Sequence, residues 1–102
     1  MKVYISGPIT GHENYMDDFE LAEKAVRALF DDGVEIINPA KVNDSLPEST
    51  TWDEYMTVCY KLLDMADTVY MMPGWKESAG ACIEYGYALA SDKTILKAEA
   101  DY

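Results

Sequence analysis

Apolar residues along the chain fall into four short continuous runs, which alternate with longer stretches of helical spacing. The runs are Lys2–Ser6, Val34–Ile37, Thr68–Met72 and Thr94–Leu96. The first three end at proline-containing turn pairs, which are Gly7-Pro8, Asn38-Pro39 and Pro73-Gly74. Apolar runs without an alternating polar face are typical of parallel strands that are buried on both sides. We therefore predict four buried strands.

Three stretches between these runs are predicted as helices because their apolar residues recur at helical spacing. They extend from Asp17 or Asp18 to about Asp32, from Thr51 to Ala66, and from Ser78 to Ala90. Thr51 and Glu54 form a capping-box pattern, and Gly33 is a natural residue to follow the first helix. The polar segment 40–50 shows no period and is predicted as a loop.

The order β-α-β-α-β-α-β predicts an α/β fold of three layers, with a parallel sheet of about four to five strands between helices. A flavodoxin-like or Rossmann-like strand order, 2-1-3-4, fits best, and residues 1–102 form one domain. In that order the loops after the first and third strands, Gly7–Gly11 and Pro73–Ser78, lie side by side. Ligands of such sheets bind beyond these strand ends.

Charge and composition limit the partners of this domain. Hydrophobic residues make up 49% of the chain and charged residues 26%, as in ordinary globular proteins. The net charge is -11, from 19 acidic and 8 basic residues, which disfavours a polymeric nucleic acid. A small anionic ligand remains compatible, because helix N-termini bind phosphate without Lys or Arg.

The cysteines and the ends of the chain predict a cytoplasmic protein. Cys59 and Cys82 lack C-x-x-C spacing, and we expect two buried, reduced thiols. No signal peptide and no apolar run of membrane-spanning length is present. His12 is the only histidine and has no Cys or His partner, so no metal site and no Ser-His-Asp arrangement is predicted.

Glu84 is the main candidate for chemistry. Helical side chains lean toward the helix N-terminus, so Glu84 points back toward the crevice, beside the small residues Gly80 and Ala81. A glycine inside a helix costs about 1 kcal/mol relative to alanine, which suggests that Gly80 clears space for a ligand. The alternative is an ordinary exposed helix carboxylate.

Other residues have two open interpretations. The Gly7–Gly11 segment is a binding loop or a simple turn, since it matches neither common phosphate-loop pattern. The aromatic residues Trp52, Tyr55 and Trp75 stack on a nucleobase or fill the core. Asp67 precedes the third strand at the end away from the crevice, where it would only end the second helix.

Several motifs together resemble a known family. They are Val3-Tyr4-Ile5-Ser6-Gly7-Pro8-Ile9, Ile37-Asn38-Pro39, Trp52-Asp53-Glu54-Tyr55-Met56, Leu63 through Asp67, and Pro73-Gly74-Trp75 followed by Ser78-x-Gly80-Ala81-x-x-Glu84. From Met1 to about Leu96 the chain resembles the small phage and bacterial domains grouped as nucleoside 2-deoxyribosyltransferase-like proteins. It looks closest to a subgroup known only as a domain of unknown function.

The resemblance implies a role for each matching residue. In the wider family a helix glutamate, here Glu84, attacks C1′ of a deoxynucleoside, and a second base or water then takes the sugar. The position of Ser78 binds the sugar or its 5′-phosphate. The substrate-binding residues implied for this chain are Tyr4, Gly7, Pro8, Asp67, Trp75, Ser78 and Gly80. No metal or redox cofactor is required, and a homo-oligomer is expected because a neighbouring subunit often completes the pocket.

The same residues predict how Glu84 ionises. Apolar walls would raise the pKa of Glu84, while the hydroxyls of Ser78 and Tyr4 would hold the ionised form. Phosphate-preferring relatives carry an Arg where this chain has Thr10. Deoxyribosyl transfer and hydrolysis both stay open, and the alternative is a non-catalytic module that binds or sequesters a nucleotide.

Overall fold

The computed structural model describes residues 1–30 and 33–98, which form one α/β unit. The strands are β1 (Lys2–Ser6), β2 (Glu35–Ile37), β3 (Thr68–Met71) and β4 (Thr94–Lys97). The helices are α1 (Tyr15–Leu29), α2 (Pro39–Ser45), α3 (Trp52–Asp64) and α4 (Ala79–Ala90), with a short 3-10 helix at Trp75–Glu77. Within the described ranges, no helix combines the length and the apolar character that crossing a membrane requires.

The four strands pair in parallel in the order β2-β1-β3-β4, so the predicted fold class and strand order are confirmed. β1 is central, and its Ser6 pairs with Met71 at the carboxyl end of β3. The loops that follow these two strands are therefore neighbours. This adjacency creates a crevice at that end of the sheet.

Alternate residues of β1 point into two separate cores, as the pleat of a strand requires. Val3 and Ile5 pack with Phe19 and Val26 of α1 on one face. Tyr4 points to the other face, where Cys59 and Leu63 of α3 and Ala81 and Ala88 of α4 complete the second core. The sheet is thus the middle layer of three, and Tyr4 lies on the side of α3 and α4.

Local capping signals determine where several helices begin. Thr51 caps α3 and completes the predicted capping box with Glu54, and Ser78 caps α4 by accepting a hydrogen bond from the Ala81 amide. Both caps are confirmed. The first helix, however, begins at Tyr15 after Asn14, two or three residues earlier than predicted, so Asp17 and Asp18 lie in its first turn and neither is its N-cap.

Three other predictions need correction. The segment predicted as a loop contains α2, which begins where Asn38 accepts a hydrogen bond from the Ala40 amide and Pro39 occupies the first turn. The first helix ends at Leu29 because Phe30 is extended, so Gly33 does not cap it; Asp32 lies outside the described residues. Cys59 is buried as predicted, but Cys82 is exposed.

Gly7 is required by packing between β1 and the end of β3. A Cβ atom at Gly7 would lie 2.5 Å from Met72 Sδ and 2.8 Å from Met72 Cβ. The Cβ of Met72 cannot move without the backbone, so a larger residue at this position strains the strand end that forms the crevice. Gly86 is a contrasting glycine in α4, because a Cβ there meets nothing within 4 Å.

We expect Gly7→Ala to lower the free energy of unfolding by about 1–3 kcal/mol through overpacking against Met72. Gly86→Ala is the matched control and should raise it by about 0.5–1 kcal/mol, since alanine is the better helix former. Urea titrations followed by circular dichroism measure both values. Equal effects of the two substitutions would contradict the packing argument.

Candidate functional site

A cavity of about 260 Å³ lies in the crevice beyond the carboxyl ends of β1 and β3. It is bounded by the loop after β1, the first turns of α4 and the first half of α3. Its lining residues are Tyr4, Gly7, Pro8, Ile9, Thr10, His12, Pro39, Trp52, Tyr55, Met56, Glu77, Ser78, Ala79, Gly80, Ala81 and Glu84. Six of the eight catalytic and substrate-binding residues implied by the family resemblance therefore meet here: Tyr4, Gly7, Pro8, Ser78, Gly80 and Glu84.

The Glu84 carboxylate is buried in this cavity and is held by two hydroxyl groups. Its side chain comes from the second turn of α4, and the residue is only 6% exposed. The Tyr4 hydroxyl donates to Oε2 at 2.6 Å, and the Ser6 hydroxyl donates to Oε1 at 2.7 Å. Tyr4 and Ser6 are two residues apart on β1, so both side chains emerge on the same face of the sheet.

Burial and hydrogen bonding act in opposite directions on this carboxyl group. Burial raises the pKa of Glu84 from its ordinary 4.5 to about 6, while the bonds from Tyr4 and Ser6 lower it. Since the folded pKa lies above the unfolded one, ionised Glu84 destabilises the folded state by about 2 kcal/mol at neutral pH. That cost disappears as the pH falls from 6 to below 4.5, where the group is protonated in both states.

The groups around Glu84 remain neutral donors at physiological pH. Burial, and then the Glu84 charge, raise the pKa of the Tyr4 hydroxyl well above its ordinary value. Burial also raises the pKa of Tyr55, and it raises the pKa of the Cys59 thiol to about 11. The carboxylate is therefore the one group among these four that ionises near neutral pH.

Ser78 lies at the cavity as predicted, but it does not hold Glu84. Its hydroxyl oxygen instead accepts a hydrogen bond from the Ala81 amide at 3.2 Å, as the cap of α4. The second donor to the carboxylate is Ser6, which the sequence analysis did not single out. Its position two residues after Tyr4 on a buried strand was the signal available in the sequence.

Gly80 permits α3 to approach the start of α4. A Cβ at Gly80 would lie 3.1 Å from Met56 Sδ, so the small residue accommodates the Met56 side chain at the wall of the cavity. Tyr55 and Trp52 line the same wall, and Trp52 is 45% exposed. These α3 side chains offer flat apolar surface on which a nucleobase can stack.

Two residues implied by the family resemblance lie outside this cavity. Asp67 is at the amino end of β3, where it accepts hydrogen bonds from the Lys2 amide and the Thr68 hydroxyl. Trp75 is buried in the core and stacks on Tyr85, with ring centroids 4.7 Å apart. Neither Asp67 nor Trp75 therefore lines the cavity that contains Glu84.

The cavity wall carries negative charge. Among the described residues, its lining includes Glu77 and Glu84 but no Lys or Arg, and Thr10 and His12 complete the polar wall near the loop after β1. A second cavity, of about 540 Å³, adjoins the first and shares Ile9, Thr10, Trp52 and Tyr55 with it. Across residues 1–30 and 33–98, no cluster of three or more His, Cys, Asp or Glu side chains is arranged to hold a metal ion.

Comparison with known proteins identifies a family and a structural relative. Residues 1–97 match the family described as Domain of unknown function (DUF4406). A solved structure of a 2-deoxyribosyltransferase from Bacillus psychrosaccharolyticus superposes with a TM-score of 0.68 at 19% identity, covering 95% of this chain and 71% of that one. No curated protein sequence matches significantly. The likeness confirms a fold shared with deoxyribosyltransferases.

Proposed function

The chain belongs to this family of domains of unknown function, and we propose that it cleaves or transfers the N-glycosidic bond of nucleosides or nucleotides, with Glu84 as the nucleophile. The observation that carries the proposal is the buried Glu84 carboxylate, held by two hydroxyls in a cavity at the strand ends. The structural relative is named as a 2-deoxyribosyltransferase and is described as a biocatalyst for nucleoside synthesis.

The chemistry requires only groups that the cavity contains. The ionised Glu84 oxygen attacks C1′, the bond from C1′ to the base nitrogen breaks, and the base leaves with that electron pair and takes a proton from water. A glycosyl ester on Glu84 results. A second base or a water molecule then attacks C1′ and releases a proton, which neutralises the hydroxide left by the first step. The Glu84 oxygen leaves as carboxylate, which regenerates the enzyme.

The lining residues suggest how a nucleoside is placed. Ser78 binds the sugar end, because its oxygen already accepts the cap bond while its own hydrogen can be donated to a ligand. Gly7 and Pro8 form the opposite wall, and Gly80 lines the cavity in the turn of α4 before Glu84. The base stacks on the α3 aromatics and extends toward the adjoining cavity.

Charge favours a nucleoside over its 5′-monophosphate. A phosphate bound at Ser78 would lie beside Glu77, and the part of the cavity wall that the structure describes contains no Lys or Arg to offset the repulsion. Thr10, where phosphate-preferring relatives carry an Arg, lines the same cavity and has no charge to offer.

The direct test is incubation of the protein with a panel of deoxynucleosides, ribonucleosides and 5′-monophosphates, followed by chromatography. Free base without added acceptor indicates hydrolysis, and a new nucleoside in the presence of a second base indicates transfer. Tight binding with neither product would replace this proposal with a non-catalytic nucleotide-binding module, in which Glu84 accepts a hydrogen bond from a sugar hydroxyl.

The proposed enzyme is a homo-oligomer. Trp52, Tyr60 and Ile83 are each at least 44% exposed and line an apolar groove between α3 and α4 that begins at the wall of the cavity. Contiguous exposed apolar surface of this kind commonly marks an interface. We expect light scattering after size exclusion at micromolar concentration to show a dimer or larger species, and a monomer there would contradict this expectation.

A further inference from the structure

Ser6 occupies an unusual place for a polar side chain. It is the last residue of the central strand β1 and is completely buried, with 0% exposure. Burying a hydroxyl is unfavourable unless it makes a hydrogen bond, and the Ser6 hydroxyl bonds to Glu84 Oε1 at 2.7 Å. Tyr4 lines the cavity, whereas Ser6 is absent from its lining.

The two hydroxyls hold the two carboxylate oxygens separately. Tyr4 bonds to Oε2 and Ser6 to Oε1, so rotation of the carboxylate about its last bond breaks both hydrogen bonds. Both donors are on one rigid strand that is paired on both sides, with β2 and with β3. The orientation of Glu84 is therefore set by β1, although Glu84 itself belongs to α4.

We propose that Ser6 is a positioning residue for the reaction at Glu84: it fixes the carboxylate and favours its ionised form without touching the substrate. The inference rests on the proposed function, because a carboxylate needs an orientation only if it reacts. Ser6 also assists the second step, since a hydrogen bond to the Glu84 carboxyl group stabilises the negative charge that returns when the ester breaks.

The pH behaviour of Glu84 depends on every group that faces it. Those groups are Tyr4 and Ser6 from β1 and Tyr55 and Cys59 from α3, while His12 and Glu77 line the same cavity. The Tyr and Cys side chains stay neutral across the working range. Loss of the Ser6 donor removes one of the two hydrogen bonds that lower the pKa of Glu84, while burial still raises it.

The first test needs no substrate. Glutamate labelled with carbon-13 at the side-chain carboxyl group is titrated by NMR, with Glu84 assigned as the signal missing from Glu84→Gln. Ser6→Ala should raise the pKa of Glu84, because a hydrogen bond to the charged form is lost. Half of the Glu84 carboxyl groups should then ionise at an about tenfold lower proton concentration than in the wild type. Ser6→Cys keeps a weaker donor, so its Glu84 pKa should lie between those of the wild type and Ser6→Ala. Ser91→Ala removes an exposed hydroxyl at the end of α4 and is the control.

The second test uses turnover. We expect Ser6→Ala to lower kcat and to leave KM nearly unchanged. We also expect the ratio of kcat/KM at pH 5 to kcat/KM at pH 9 to be about tenfold smaller in Ser6→Ala than in the wild type. An unchanged Glu84 titration in both Ser6 variants, or a rise in KM alone, overturns the inference. If the Glu84 titration shifts in the Ser6 variants but the wild-type protein shows no turnover, the result supports the role of Ser6 in orienting Glu84 and refutes the proposed function. Ser6→Cys serves for both measurements if the alanine variant does not fold.

Discussion

Glu84→Gln should lower turnover by at least about a thousandfold, because the substitution preserves shape but removes the charge that attacks C1′ in the proposed mechanism. Ligand affinity should stay within about tenfold, or roughly 1.4 kcal/mol, since the amide still fills the same space. Steady-state kinetics and titration calorimetry with the best substrate of the panel measure the two effects separately.

The controls for this experiment follow from the structure. Glu20→Gln makes the same chemical change on the exposed surface of α1 and should leave activity unchanged. The buried charge is unfavourable at neutral pH, so Glu84→Gln should melt no lower than the wild type. Full activity of a folded Glu84→Gln protein would exclude the covalent mechanism.

The proposed mechanism predicts that the turnover rate of the wild-type protein rises with pH through about 6. Burial raises the pKa of Glu84 to about 6, and only the ionised carboxylate is a nucleophile. Activity is therefore present above this pH and is lost below it. At pH 4 only about one carboxylate in a hundred is ionised, so kcat/KM should be about a hundredfold below its plateau.

Measurement of kcat/KM from pH 4 to pH 9 tests this expectation, with circular dichroism at each pH to show that the protein stays folded. A midpoint near 4.5 would mean that Glu84 is solvated in the working enzyme. A rate that falls as the pH rises through 6 would mean that the group acts as an acid, which the proposed mechanism does not allow.

Local signals in the sequence were sufficient for most of the fold. The buried runs, the turn pairs and the Thr51–Glu54 capping box each involve residues within a few positions of one another, so their chemistry can be recognised without tertiary contacts. The same kind of signal is present at Asn38-Pro39, where the sequence predicts only the end of a strand and the structure also has the start of α2. The absence of an apolar period hid a helix whose buried residues, Pro39 and Ala40, lie in its first turn.

The hydrogen-bond partners of Glu84 cannot be predicted from residues close to it in the sequence. Its place in α4 and its direction toward the crevice follow from helix geometry. Its two donors are 78 and 80 positions away in the chain, and nothing near Glu84 specifies which hydroxyls will reach it. Ser78, six residues earlier, was the nearer choice, but its hydroxyl is used by the cap of its own helix.

The sequence by itself determined the strand order, the caps of α3 and α4, and the group of residues Tyr4, Gly7, Ser78 and Glu84 that share one edge of the sheet. Only the tertiary structure decided that Ser6 holds Glu84 and that Trp75 belongs to the core. The physical reason is that periodicity and capping act between neighbours in the chain. Hydrogen bonds to a buried carboxylate depend on which side chains two separate elements bring within about 3 Å of each other.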